Sequence, residues 1–318
     1  ISAHTKLDEQ TGELLFFNYS KHPPYMHYGV VGPDNRLKHY VPVPLPGPRL
    51  PHDMAFTENY AILNDMPLYW DEKMLERGVH AVRMHKDTPT RFAVIPRMGQ
   101  PEDIRWFEAE PTYVLHWLNA WEEGDEVVLD GYFQEHPEPA NYEGAPSGYE
   151  RMMAYLDQGL LMPRLHRWRF NLKTGETKEE RLDDRTLEFG TINQRHGGRA
   201  YRYGYSAVPV DGWFMFEGFT KHDMETGASS TVGLGEGRYG SEAGFAPRVG
   251  AKSEDDGYLV TFVSDVNEDR SEAVLIDAQD FEAGPVCRIV LPHRISSGTH
   301  ATWAHGEDIR KAQAALGL

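Results

Sequence analysis

The sequence has a single cysteine, Cys287, in 318 residues, so it can form neither an internal disulfide nor a Cys-x-x-Cys metal site. That usage suits a reducing compartment, and a cytoplasmic protein is expected. No run approaches the roughly 20 apolar residues of a membrane-spanning helix, and no apolar stretch near the start has the form of a secretion signal. Positive charge is scarce. With 32 Lys and Arg against 49 Asp and Glu, the formal charge of −17 repels phosphate backbones and anionic headgroups. Nucleic acid is therefore not expected as a partner, and membrane contact is expected to be weak and peripheral at most. No glycine-rich loop joins a strand to a helix, since "GLGEGRYG" follows no such pattern, and there is no haem-attachment motif. Flavin, nicotinamide and haem are not expected.

What is present is short alternating apolar segments cut by Gly, Asp and Asn, such as "ELLFFNYS", "YAILND", "EVVLDGYF", "YLVTFVSDV" and "EAVLIDA". This is the period of strands in hairpins. A weak repeat links them. A strand, an acid or amide, a turn and another strand recur at "DEQTG", "RMHKDTPTRFAVI", "NLKTG", "DMETG" and "DAQDFEAG". Spacings of one to two units of about 40 to 50 residues point to an all-β β-propeller with long insertions, with an antiparallel sandwich as the alternative. Helix is expected only in "GYERMMAYLDQGLL" and the tail "EDIRKAQAALGL". Composition does not shift along the chain, so residues 1–318 are read as one domain.

Inner strands of a propeller converge on its axis, so a site there draws single residues from distant parts of the chain. Of the 15 histidines, His4, His52, His116 and His300 meet that expectation best. Each lies in or beside an apolar or small-residue stretch that opens a strand, where an unpaired imidazole is costly to bury. Two readings stand at this point: core histidines bonded to backbone carbonyls, or ligands of one metal.

The blocks "LPHDMAFTENYAILNDMPLYWD", "VLHWLNAWEEGDEVVLDG", "LEFGTINQRHGGRAYRYGY", "SEAGFAPR" with "EDDGYLVTFV", and "GTHATW" resemble, in order and spacing, the carotenoid cleavage oxygenases. That family includes apocarotenoid and lignostilbene dioxygenases and the retinal pigment epithelium isomerase. The resemblance runs along essentially the whole chain but matches only the later two thirds of a typical member. It implies a seven-bladed β-propeller, of which this chain covers most but not all blades, lacking the N-terminal part, with helical and loop insertions as a cap. It also implies one non-haem Fe(II) held by His4, His52, His116 and His300, with Glu188 and Glu242 orienting the ligand imidazoles. Asp53 and Glu58 read as acids that cap or make turn hydrogen bonds. The chain departs from the family pattern at Ala243, Ala301 and the pair His4-Thr5.

The reaction implied is scission of a conjugated carbon–carbon double bond of a carotenoid or apocarotenoid by O2, giving two carbonyl products. Stilbene or phenylpropanoid cleavage is the alternative, retinoid isomerisation a third outcome, and a non-catalytic propeller scaffold the reading from another class. The groups that would separate carotenoid from stilbene chemistry precede the first ligand histidine in the family and are not in this sequence. An apolar tunnel is expected, with Met66, Trp70, Trp106, Phe107, Met152 and Leu160 as its lining.

Overall fold

The computed structural model describes residues 1–78, 82–138, 156–212, 214–296 and 298–317. Nearly half of these lie in antiparallel strands, which form three four-stranded sheets and then an eight-stranded one made of two four-stranded halves. The first sheet is a meander of β1 (Lys6–Asp8), β2 (Glu13–Tyr19), β3 (Met26–Val31) and β4 (Leu37–Val43). The second contains β5 (Ala55–Phe56) and β6 (Tyr60–Asp65). A hairpin of β7 (Leu68–Trp70) and β8 (Val82–Met84) interrupts it before β9 (Thr90–Pro96) and β10 (Arg105–Ala109) complete the sheet. The third sheet comprises β11 (Trp117–Glu123), β12 (Glu126–Gln134), β13 (Pro163–Asn171) and β14 (Thr177–Arg181). The fourth is β15 (Glu188–Ile192), β16 (Tyr203–Pro209), β17 (Phe216–Asp223) and β18 (Ser229–Gly233); the fifth is β19 (Arg238–Pro247), β20 (Gly257–Asp265), β21 (Arg270–Asp277) and β22 (Pro285–Val290). A single pairing, Phe216 with Gly240, joins these last two.

Three of the five expected repeat turns share one construction. In "DEQTG", "NLKTG" and "DMETG" the side chains of Asp8, Asn171 and Asp223 accept backbone N–H groups two or three residues ahead, as in Asp223 Oδ1 with Glu225 N at 3.1 Å. Each turn closes on a glycine, Gly175 and Gly227 at φ of 78° and 74°, a conformation costly for any residue with a Cβ. The other two segments are built differently: "RMHKDTPTRFAVI" leads from the inserted hairpin into β9, and "DAQDFEAG" passes through a 3-10 turn at Phe281–Ala283.

β20 alternates buried with more exposed residues, whereas β9 and β12 are buried along most of their length and so pack on both faces. Core residues accordingly form a chain of inter-sheet layers. Leu15, Phe17 and Tyr28 of the first sheet meet Leu63, Ala93 and Ile95 of the second. Phe92 and Val94 on the opposite face of the second sheet meet Trp117, Trp168 and Phe170 of the third. Leu118, Tyr132 and Leu165 meet Leu187 and Ile192 of the fourth, and Phe189, Tyr205 and Phe219 meet Phe245, Leu259 and Val263 of the fifth. A sandwich has one such layer; four in chain order set that alternative aside.

Helices are few. α1 (Glu72–Glu76) is capped by Asp71, and α2 (Gln158–Leu161) by Asp157, whose carboxylate accepts from Gly159 N and Leu160 N. α3 (Gly306–Leu316) forms in the expected tail and has no buried residue. The other expected helix survives in the described residues only as α2; residues 148–155 lie outside them. No described helix is long and apolar enough to cross a membrane.

Candidate metal centre

The first strand of each sheet starts near one point. His4 lies just ahead of β1, His52 ahead of β5, and His116 immediately before β11; Glu188 opens β15, Glu242 sits in β19, and His300 follows β22. The strands bend there. Register shifts interrupt β11 between Trp117 and Asn119, β15 between Glu188 and Thr191, and β19 between Gly240 and Ala243. Such bulges re-aim side chains. In the sharpest of them Phe189 takes φ of 49°, a conformation rare for a bulky residue and associated with functional sites. Its ring then lies 4.4 Å from that of His116, centre to centre.

One ligating nitrogen from each of His4, His52, His116 and His300 lies within 4.8 Å of the others. His4 and His52 bring their Nε2 atoms to 3.0 Å. Two nitrogens bound at right angles to one ion, with bonds of about 2.1 Å, would stand about 3.0 Å apart. His116 Nε2 is buried without a hydrogen-bond partner among the described residues, an expense that a metal would remove. The opposite ring nitrogens are held: His116 Nδ1 donates to Glu188 Oε2 at 2.7 Å and His300 Nδ1 to Glu242 Oε2 at 3.1 Å. Each carboxylate is itself fixed by a backbone N–H, from Phe189 and Ala301 at 2.6 Å. This arrangement sets the tautomer and turns each Nε2 lone pair inward.

Burial dominates the electrostatics. It holds His4 down at about 3, against the opposing charge of Asp53. It lowers His52 and His116 to about 4. All three are neutral near pH 7 and keep a lone pair for coordination. Burial also pushes Glu188 up to about 8, despite the Phe189 N–H. Both shifts have one cause: burial disfavours an uncompensated charge of either sign, and a dication among the imidazoles beside Glu188 would let each charge offset the other. The donors are all imidazole nitrogen, a set suited to Fe, Zn, Cu or Ni. The residues therefore fit a divalent transition metal.

Asp53 meets the expectation of backbone hydrogen bonding and exceeds it. Its carboxylate, 2% exposed, accepts from Met54 N at 2.7 Å and Trp117 N at 3.0 Å and pairs with Lys6 Nζ at 2.8 Å. It thus ties together the strand starts that carry His4, His52 and His116. Glu58 is exposed. Phe189 and Lys6 are features of the site that sequence reasoning missed; nothing local marks a bulge or a partner 47 residues away.

Two cavities flank the histidines. One of about 440 Å³ is bordered by His4, Lys6, Asn119, Glu242 and His300. The other, about 510 Å³ and mostly apolar, is bordered by His52, Leu68, Trp70, Tyr113, Leu115 and Leu161. Of the expected tunnel residues only Trp70 lines it. Met66 and Phe107 are buried in the layer between the second and third sheets. Trp106 lies on β10 beneath the Arg91 guanidinium, 4.6 Å from the ring centre, Leu160 is exposed, and Met152 is outside the described residues. Chain segments rich in Met and aromatics supply core here, because large apolar side chains serve inter-sheet packing first.

Residues 1–305 match the family described as retinal pigment epithelial membrane protein. A carotenoid 9,10(9',10')-cleavage dioxygenase of Crocus sativus is 37% identical across 98% of this chain and 59% of its own length. Isoeugenol monooxygenase of Pseudomonas nitroreducens is 30% identical across 95% of this chain and 65% of its own. The crystal structure of Pseudomonas brassicacearum lignostilbene dioxygenase superposes with a TM-score of 0.83 at 29% identity, covering 96% of this chain and 66% of that one. The chain spans about three fifths of the length of the plant relatives it matches.

Proposed function

Because this chain belongs to the carotenoid cleavage oxygenase family, the one matched over residues 1–305, we propose that it carries the metal centre of a non-haem Fe(II) dioxygenase. The enzyme cleaves a conjugated double bond of a carotenoid or apocarotenoid, and each of the two carbonyl products takes one atom of O2. The observation that carries this reading is the convergence of four imidazole nitrogens within 4.8 Å, with His116 Nε2 buried and unpartnered among the described residues. His4, His52, His116 and His300 would hold the metal. When bound, Fe(II) supplies the oxygen-activating redox chemistry that protein side chains lack. The protein's own part is positional. Glu188 and Glu242 keep the Nδ1 protons on His116 and His300, Asp53 locks the strand starts, and the apolar cavity keeps water from an alkene lying beside His52.

The five sheets are read as blades of a single seven-bladed propeller domain to which residues 1–318 belong. The inserted β7–β8 hairpin and α2 act as its cap, since Trp70, Val82 and Leu161 wall the apolar cavity. A cytoplasmic setting, with at most weak peripheral membrane contact, accords with the free, exposed Cys287 and the formal charge of −17. Cleavage of stilbene or phenylpropanoid double bonds is the second reading. It is favoured by the 30% identity to isoeugenol monooxygenase and the superposition on lignostilbene dioxygenase. Anaerobic loading with Fe(II), then addition of 18O2 and either an apocarotenoid or a hydroxystilbene, tests both. One labelled oxygen in each of two aldehydes from one substrate class is expected; no aldehyde from either class would overturn the proposal.

A further inference from the structure

The apolar cavity beside His52 has on its wall a polar group that the described residues leave without a partner. Gln134 ends β12 and is 2% exposed. Its backbone is fixed on both sides, with Gln134 N donating to Tyr113 O at 3.3 Å and Gln134 O accepting from Thr112 Oγ1 at 3.0 Å. Its side chain borders the cavity together with His52, Tyr113, Leu115 and Leu161. Yet Gln134 Nε2, a donor, is buried and bonded to nothing among the described residues. Two neighbouring polar groups on this wall are engaged: Tyr113 Oη donates to Leu50 O at 2.9 Å, and Arg83 faces Glu138 at 3.6 Å. A buried donor left unmade carries its full desolvation penalty, and on the wall of a ligand cavity the ligand is the natural partner.

We infer that Gln134 is a specificity-determining residue that donates a hydrogen bond to an oxygen on the substrate. Resting on the function proposed above, this narrows the substrate class to conjugated alkenes bearing a hydroxyl, ether or carbonyl oxygen and disfavours pure hydrocarbons. His52 and Gln134 border one cavity, so the reacting end and the oxygen are read from the same molecule. A hydrocarbon in the same place would cover the amide donor with carbon and leave it unbonded, the situation by which polar sites reject analogues that lack the polar atom.

The test is binding to the full iron-loaded chain under anaerobic conditions, followed by quenching of tryptophan fluorescence, since Trp70 borders the cavity. Two matched pairs serve as probes: trans-stilbene with 4-methoxystilbene, and the hydrocarbon analogue of retinol with retinyl methyl ether. The ethers accept hydrogen bonds and donate none, which suits an amide donor. In at least one pair the ether is expected to bind roughly tenfold more tightly, the worth of one buried hydrogen bond. Gln134→Leu should erase that preference, weakening ether binding and, with no donor left to cover, strengthening hydrocarbon binding. Gln134→Met, which keeps nearly the same size and removes the donor, should erase it too and serves alone if the leucine variant does not fold. Hydrocarbon binding with no ether preference in either pair, or a preference that persists in the variants, would overturn the inference and leave the proposed function standing. If none of the four probes binds, the cavity is not an alkene site and both readings fall.

Discussion

Replacing Asp53 with alanine is expected to loosen the metal centre from outside its ligand set. The carboxylate accepts backbone N–H groups from Met54 and Trp117, both buried. Leaving each unbonded costs about 1–3 kcal/mol. The pair with Lys6 adds little, about 1 kcal/mol at most, because the lysine side chain is 24% exposed and partly solvated. The sum is roughly 2–7 kcal/mol of folding stability, large against the ordinary 5–15 kcal/mol of a domain. Asp53→Asn keeps one acceptor and should lose about half. Trp117 N is the anchor next to His116, and Asp53 itself follows His52, so affinity for Co(II) as a spectroscopic probe should also fall by about 10- to 100-fold in both variants. Urea unfolding at constant m-value and cobalt titration measure the two effects. A loss below about 1 kcal/mol with unchanged cobalt affinity would refute the reasoning.

Glu188→Gln should weaken metal affinity by about 10- to 100-fold without abolishing it, as a titration of Co(II) absorption can show. At Phe189 the usual order of small residues should invert. Both Phe189→Ala and Phe189→Gly lose packing of a few kcal/mol, but at φ of 49° the glycine variant should be the more stable by about 1 kcal/mol in thermal unfolding. Arg97 donates to Asp8 at 2.7 Å, Glu13 at 2.9 Å and Thr57 O at 2.8 Å, so Arg97→Leu is expected to cost about 3 kcal/mol. Burial works to raise the Asp8 carboxyl, but hydrogen bonds from Arg199 and Arg97 outweigh it and hold it below the usual range. A depressed folded value means that this contribution is present above the unfolded value near 3.9 and is lost as pH falls through the folded one. Wild-type stability, followed by chemical unfolding across pH, should therefore decline on acidification below about 4. The Arg97→Leu variant should decline less.

What could be read from the sequence was whatever is local. The asparagine and acid turns at Asn171 and Asp223 announce their hairpins within five residues, and two-residue alternation marks the strands. His4, His52 and His116 stand out because each precedes a strand, whereas His300 follows β22 with no strand after it among the described residues and is legible only from its contiguous motif block. Non-local features were opaque. Asp53 owes its role to Lys6 and to the Trp117 backbone, and no spacing encodes those contacts. The kink at Phe189 depends on pairing of β15 with β16. Cavity walls were misjudged because Met66 and Phe107 face a neighbouring sheet, a fact fixed by register and not by composition. Gln134 was overlooked for the same reason: a glutamine at a strand end carries no signal until its neighbours are known.

The claim that His4, His52, His116 and His300 form one metal centre is tested most directly by metal content after anaerobic loading with Fe(II) and removal of excess, in the wild type and in His116→Ala. About one iron per chain is expected in the wild type and near none in the variant, with circular dichroism unchanged. A wild type that retains no iron, or a His116→Ala variant that retains a full equivalent, would contradict it.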